Sequence, residues 1–543
     1  MIKSTLKTKE CLVLLGGLAF VCLFHIWGYL HAGIWSGEPL THLTLQLETV
    51  HLLMADGVKS FASFSSQFIN LYFKFPKQGY DFTAVISSYL IFDTPPTLHQ
   101  HKLVVSTMQL LSYFGCCAVI SFFLRKTFEW EILLVCVLFW ASDTYNLVYS
   151  SFPRQNITAH LFGLTMLFFY LSERSRSEEF NANTALYLGI FAAFGTLFHY
   201  SCFEAVIAII FTELALIVYE RKNPLRAISR LLIFLAAIVA VWVAGDIYYY
   251  ISLHKGNFEV GTKYPILEGM VLAIENTMLN KTPAWKIEGG NIFFSIKYLW
   301  HVANPLLLVF GVIGAWHICA EEDINPKFRL MILIGAALFF WSGTRFFAAA
   351  RSIEYYMPYL LILAGYGIVR LKKIISARNI KYKHVVSVIV MVLAIGTQYP
   401  RMVDAKTAIT TQHKTQEYLQ NKAIDTVFVI GRHEEPLFTE IKKIDVGKSY
   451  DPICAKKPNA EYLYLMRALP IIKSRSARTD SYWKTIDVLR ETEALAVFKE
   501  YNSLPLYYFE FPLKKEIFDG DDPMGITRRI YKVSDFKDRL CSS

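Results

Sequence analysis

From about residue 11 to residue 400 the chain alternates apolar runs with short polar links. Runs of about 20 residues suffice to cross a hydrocarbon core of about 30 Å. Such runs lie near 11–31, 103–124, 131–150, 157–172, 185–200, 202–219, 230–251, 296–319, 329–347, 354–370 and 384–400. The pattern predicts an all-α polytopic membrane bundle of about 11 helices, with the short run at 185–200 tilted or partly re-entrant. Beyond residue 400 the periodicity changes. Thr426–Ile430 and Arg529–Val533 read as short strands and Trp483–Phe498 as helix, so 401–543 is expected to be a small soluble α/β domain.

Composition supports a bilayer as solvent. At 54% hydrophobic residues and a mean hydropathy of +0.34, the 543-residue chain is too apolar for an ordinary water-soluble protein. Its 41 Phe, 31 Tyr and 10 Trp suit helices that meet lipid tails and set rings at the headgroup level. The formal charge of +10 is scattered over the links instead of forming one stripe, which argues against a nucleic-acid partner.

The basic residues report topology, because lysine and arginine resist translocation. Lys3, Lys7 and Lys9 precede the first run, Arg125 and Lys126 follow the second, and Arg174 and Arg176 the fourth. Arg221, Lys222, Arg226 and Arg230 follow the sixth, Lys327 and Arg329 the eighth, and Arg370, Lys372, Lys373, Arg378, Lys381 and Lys383 the tenth. Every alternate link is basic. This predicts a cytoplasmic N-terminus, a membrane domain over 1–400 with outward loops at 32–102 and 251–295, and an extracytoplasmic domain over 401–543. A bacterial inner membrane is the expected location. The first run is read as a span and not as a cleaved signal, since it is long and no A-x-A-like site ends it.

Seven cysteines (Cys11, Cys22, Cys116, Cys117, Cys136, Cys202 and Cys319) sit in or beside the runs, where thiols act as small apolar groups. Cys454 and Cys541 alone fall in the outward domain, where they either pair in an oxidising compartment or remain two free thiols. No P-loop, paired CxxC, GxSxG or HExxH occurs, so no motif calls for a metal or a soluble-enzyme cofactor. Asn156-Ile-Thr158 and Asn280-Lys-Thr282 match the N-glycosylation pattern in outward links.

Several short motifs stand in those outward links. They are Trp35-Ser36-Gly37-Glu38-Pro39-Leu40-Thr41-His42-Leu43 after the first run, and Asp93-Thr94-Pro95-Pro96-Thr97-Leu98-His99 before the second. Tyr149-Ser150-Ser151-Phe152-Pro153-Arg154-Gln155-Asn156 leads into the fourth, and Leu197-Phe198-His199-Tyr200 ends the fifth. Arg351-Ser352-Ile353-Glu354-Tyr355-Tyr356-Met357-Pro358-Tyr359 leads into the tenth. Over about 30–400 this layout resembles the GT-C integral-membrane glycosyltransferases, in particular the protein-mannosyltransferase and aminoarabinose-transferase-like branch. Gly37 stands where that family usually has Asp.

The resemblance implies transfer of a sugar from a polyprenyl-phosphate donor to a glycan, lipid or protein acceptor at the outward face, with no metal or cofactor required. A carboxylate should take the acceptor's proton as its oxygen attacks. Glu38 is the first candidate, against the plainer reading of a helix N-terminal charge. Asp143 is the second, because a carboxylate at membrane depth is costly, although its Thr and Tyr neighbours offer it ordinary hydrogen bonds. Asp93 either orients the acceptor or braces the Pro-Pro turn, whereas Glu48 and Asp56 read as a solvated helix face.

Cations should hold the leaving phosphate. Arg351 comes first, then Arg345, Arg154, His99, Lys102 and His199, with headgroup snorkelling the alternative for Arg345 and Arg154 and plain packing for His199. His42, Tyr355 and Tyr356 are candidate substrate contacts, aromatic-belt anchoring being the alternative for the tyrosines. A transporter or flippase and a non-catalytic envelope assembly protein are the other classes. The first would place ionisable residues along a mid-membrane path, where Glu204 and Asp246 are the main ones present.

Overall fold

The computed structural model describes residues 8–31, 38–56, 78–151, 156–177, 179–220, 223–256, 266–268, 270–271, 292–344, 350–378, 385–430, 441–446, 449–465, 480–498 and 528–542. Among them, six helices are long and apolar enough to cross a membrane: Val13–Leu30, Leu98–Leu124, Tyr200–Glu220, Pro224–Tyr248, Pro326–Gly343 and Val385–Val403. A bent pair, Trp130–Ala141 and Thr144–Ser150, makes up to seven, and Ala182–Phe198 and Pro305–Ala320 are apolar but shorter. The protein is a multi-pass membrane protein.

Every predicted run holds helix, but three are interrupted. The run at 131–150 bends by 66° between Ala141 and Thr144. That at 296–319 is split into Ile292–His301 and Pro305–Ala320, and the tenth begins with a short helix, Ala350–Ile353, and a 3₁₀ turn, Glu354–Tyr356, before Met357–Arg378. Hydropathy summed over a window does not register such breaks, because a break consumes backbone hydrogen bonds and leaves composition unchanged.

The chain divides into two compact units: one of Met1–Tyr29, His42–Thr282 and Gly289–Met402, the other of Leu30–Thr41, Pro283–Glu288 and Val403–Ser543. In the first, Pro305–Ala320 and Met357–Arg378 approach backbone to backbone through glycine. A Cβ on Gly314 would fall onto the carbonyl of Leu363, and one on Gly367 onto that of Phe310. Without a hydrophobic drive between helices in lipid, such close approach is how they gain dispersion energy.

Several basic residues of the links enter ion pairs. Arg174 is buried against Glu213 (2.7 Å) and Glu220 (3.2 Å), and Lys327 reaches Glu220 (3.4 Å) and the Ser177 carbonyl (2.6 Å). Arg230 meets Glu179 (2.7 Å), Lys372 meets Glu131 (2.7 Å) and Glu129 (3.0 Å), and Lys373 meets Glu321 (2.7 Å). The Lys373 ammonium holds the Glu321 carboxyl below the usual range.

In the second unit a five-stranded sheet has the order β2-β1-β3-β5-β4, with β1 Thr426–Val429, β2 Lys442–Asp445, β3 Tyr462–Leu465, β4 Ala496–Phe498 and β5 Arg528–Lys532. β1 runs parallel to β2 and β3, and β5 antiparallel to β3 and β4. Alternate residues serve opposite faces. Phe428, Leu463, Leu465 and Tyr531 join Trp483, Ile486, Leu489 and Leu540 from helices Asp480–Arg490 and Lys537–Cys541. Val427, Val429, Tyr464 and Ile530 face Leu419 at the end of helix Val385–Asn421. The helix expected over Trp483–Phe498 stops at Arg490, and Ala496–Phe498 is strand β4. Cys454 and Cys541 form a disulfide, with Cα atoms 5.7 Å apart and 87 residues apart in sequence.

Gly367→Val should drive the two glycine-packed helices apart and cost about 1–3 kcal/mol or more, read as a lowered thermal midpoint in detergent. Cys454→Ser should destabilise the sheet-containing unit by about 2–5 kcal/mol, read as earlier proteolytic cleavage in urea, with reductant reproducing the effect in the unsubstituted chain.

Candidate functional site

The breaks near Asp143 and Val302 create freed backbone groups that must be met inside the protein. The Asp143 carboxylate accepts the Tyr145 amide (2.7 Å), capping the helix that begins at Thr144. Asn146 Nδ2 donates to the Trp140 carbonyl (2.9 Å), and the Thr144 hydroxyl to that of Val302 (3.0 Å). Gln398 Nε2 spans both breaks, donating to the carbonyls of Ser142 (3.2 Å) and Val302 (3.1 Å). Arg401 donates to Ala303 O (3.1 Å) and Gln398 Oε1 (2.8 Å), and Asn304 caps its own helix through Leu306 N (3.0 Å). His25 Nε2 donates to the Ala141 carbonyl (2.9 Å), so its Nδ1 accepts from Ser150 Oγ (2.6 Å).

The 3₁₀ turn Glu354–Tyr356 stands at the centre. With three residues per turn, its three consecutive side chains leave in three directions. Glu354 meets the Tyr298 hydroxyl, which also lies 3.2 Å from Asp143 Oδ2. The Tyr355 hydroxyl lies 3.2 Å from Ser201 Oγ, which lies 2.6 Å from His199 Nδ1, and the His160 ring stands edge-on to Tyr355 at 4.6 Å. The Tyr356 hydroxyl donates to Glu204 Oε2 (2.9 Å). Asp143, His199, Glu204, Glu354, Tyr355 and Tyr356 are all buried.

The sequence candidates fare differently. Asp143, His199, Tyr355 and Tyr356 are brought around this turn, but both tyrosine hydroxyls face internal partners and neither ring anchors at a headgroup belt. Arg351 lies in the helical turn Ala350–Ile353 immediately before Glu354; its side chain lies outside the described residues, as do Arg345 and Arg154 altogether. Glu38 opens the helix Glu38–Asp56, which also carries His42, and the side chains of both lie outside the described residues.

Asp93 and His99 are exposed, and the capping that organises this turn comes from Thr97 and Gln100 instead. Lys102 is buried, near a polar chain in which Gln46 donates to Asp81 (2.6 Å) and His101 bridges Gln46 (2.9 Å) and Ser88 (2.7 Å). Glu48 is exposed, in keeping with a solvated helix face. Asn156 is buried and donates to the Tyr145 hydroxyl (2.6 Å), so this sequon is not an accessible glycan acceptor; Asn280 lies outside the described residues.

Sequence reasoning missed the roles of Tyr298, Glu354, Gln398 and Arg401. Only Glu354 carried a signal, as an acid inside the Arg351–Tyr359 motif. Among the described residues no group of three His, Cys, Asp or Glu side chains is arranged to hold a metal ion.

No protein-family model matches the sequence, and no curated protein does. Among solved structures, the chain is similar to the Archaeoglobus fulgidus oligosaccharyltransferase in its apo form, with 13% identity and a TM-score of 0.48 over 86% of this chain and 70% of that one. It is also similar to ArnT from Cupriavidus metallidurans, in the apo state with 12% identity and a TM-score of 0.49 over 79% of this chain and 85% of that one. The same ArnT bound to undecaprenyl phosphate gives a TM-score of 0.47 at 12% identity, over 79% of this chain and 85% of that one.

Tyr356→Phe removes one donor from buried Glu204 and should cost about 1–3 kcal/mol, measured as a drop in thermal midpoint in detergent.

Proposed function

We propose that this protein is a glycosyltransferase of the GT-C type that moves a sugar from a polyprenyl-phosphate donor to a glycan, lipid or protein acceptor at the outward membrane face. The observation that carries this reading is the convergence of His199 and the Glu354–Tyr356 turn, which come from two of the separate outward motifs on which the family resemblance was drawn, with Asp143, the second candidate base, beside them. A polyprenyl tail needs lipid and its sugar phosphate a polar pocket, which a helical bundle with broken helices at one end offers together. Glu38 is the base for the acceptor hydroxyl, with Asp143 the second candidate, and Arg351 the phosphate-holding cation, supported in that role by its place one turn before Glu354.

The topology is part of the proposal. Links after the second, fourth, sixth, eighth and tenth runs are joined in pairs by ion pairs and hydrogen bonds: Glu129 and Glu131 with Lys372, Arg174 with Glu220, Lys327 with Glu220, and Lys373 with Glu321. Shared contacts among every second link support eleven alternating passes, with the cytoplasm on that side by the positive-inside rule. The motif residues then lie outward, in a bacterial inner membrane, with the C-terminal unit in the oxidising compartment where its disulfide is stable. Neither metal nor cofactor is required on this reading. Glu204 and Asp246 are tied to Tyr356 and to the amides of Ile266 (2.8 Å) and Leu267 (3.0 Å), which favours transfer over a transport path lined by open charges.

Mass spectrometry of envelope lipids, glycans and proteins from cells with and without the chain should reveal one product that differs by a single hexose- or pentose-sized unit. Glu38→Gln and Arg351→Ala, inserted and folded, should each lower formation of that product on the order of a hundredfold. Rates near wild type in both variants would remove the mechanism.

A further inference from the structure

A hydroxyl has one hydrogen to give and a carboxylate has none. The Tyr298 hydroxyl meets carboxyl oxygens of both Glu354 and Asp143. It donates to only one of them, and the two carboxyls also meet each other directly, so one of the two must carry a proton, given to the tyrosine oxygen or to the other carboxyl. Two unprotonated carboxylates around one phenol would leave one contact as a repulsion between oxygen lone pairs, in a site where neither carboxyl is more than 1% exposed.

Which carboxyl is charged follows from their surroundings. Asp143 caps a helix N-terminus, accepting the Tyr145 amide at 2.7 Å, and the Arg401 guanidinium acts on it electrostatically. Those features favour an anion. Glu354 Oε2 is buried and receives no ordinary donor, and the Glu354 side chain meets the Asp143 carboxyl, as suits a neutral acid and not a second carboxylate. Among the described residues, the phenol of Tyr298 and the Cys116 thiol on helix Leu98–Leu124 also act on the pair.

We infer that Glu354 is a neutral carboxylic acid in the working protein, joined through Tyr298 to an ionised Asp143, and that this one-proton chain is the positioning device that holds the 3₁₀ turn and the adjoining Arg351 for catalysis. The chain ties the turn to the breaks at Asp143 and near Val302, so the backbone carrying Arg351, Tyr355 and Tyr356 is fixed by one proton. Loss of that proton would put a second negative charge beside Asp143 and push the turn away. Glu354 acts here through the turn and not on the substrate. The positional part of the inference rests on the transfer reading; the protonation part does not.

Infrared difference spectra of the purified full-length protein in detergent separate the two. Wild type minus Glu354→Gln at neutral pH should contain a protonated-carboxyl carbonyl band, and wild type minus Asp143→Asn a carboxylate band. Absence of the first band, or its appearance in the Asp143 difference, overturns the assignment whatever the activity. In the product assay, Glu354→Ala should fall at least tenfold, with Glu354→Gln, which keeps the shape and a donor, recovering most of the loss. Wild-type transfer should decline at alkaline pH and the Glu354→Gln protein should lack that limb. Failure of Gln to rescue in a folded protein, or an identical alkaline limb in both, overturns the positioning role. The infrared bands as expected with no transfer by any form, wild type included, would count against the glycosyltransferase reading and leave the proton assignment standing.

Discussion

Within hydrocarbon no water is at hand to satisfy a freed amide, carbonyl or carboxyl, so every such group must find its partner inside the protein. Two helix interruptions, at Ser142-Asp143 and at Val302–Asn304, set that requirement here. The polar residues that meet it are Asn146, Thr144, Asn304, Gln398, Arg401 and His25. A break in a spanning helix is expensive, and the polar chemistry at this end of the bundle is both its compensation and its use.

The Glu354–Tyr356 turn binds this end together. A continuous α-helix would have turned three consecutive side chains by about 100° each; the 3₁₀ turn sets them about 120° apart, toward Tyr298 on helix Ile292–His301 and toward two positions on Tyr200–Glu220. Glu354 reaches Tyr298 beside Asp143, Tyr355 reaches Ser201 beside His199, and Tyr356 reaches Glu204. The links between alternate runs are closed by ion pairs such as Arg174–Glu213 and Lys372–Glu131. Buried pairs of this kind are weak sources of net stability but costly to break, so they fix which helices are neighbours while the other links hold the chemistry.

The local elements were legible in the sequence. A run of apolar residues is a local property, and helix stands at every predicted run. Strands β1 and β5 stand where alternation put them, and Cys454 pairs with Cys541, one of two outcomes the composition allowed. Of the candidate site, the sequence supplied Asp143, His199, Tyr355 and Tyr356, because an acid or a His-Tyr or Tyr-Tyr pair at the end of an apolar run is conspicuous.

Tertiary structure decided the rest. Tyr298 lies 155 residues from Asp143 and 56 from Glu354, and Gln398 lies 256 from Ser142, so no window along the chain contains these partnerships. The tyrosines looked like interfacial anchors and Asn156 like a glycan acceptor, since residue type alone does not say which face of a helix turns inward. The sequence by itself determined where backbone is hidden from water, because that depends on composition over about 20 residues. Which polar groups answer one another was decided only in the folded bundle, because a hydrogen bond needs about 3 Å and a direction, and both are properties of packed helices.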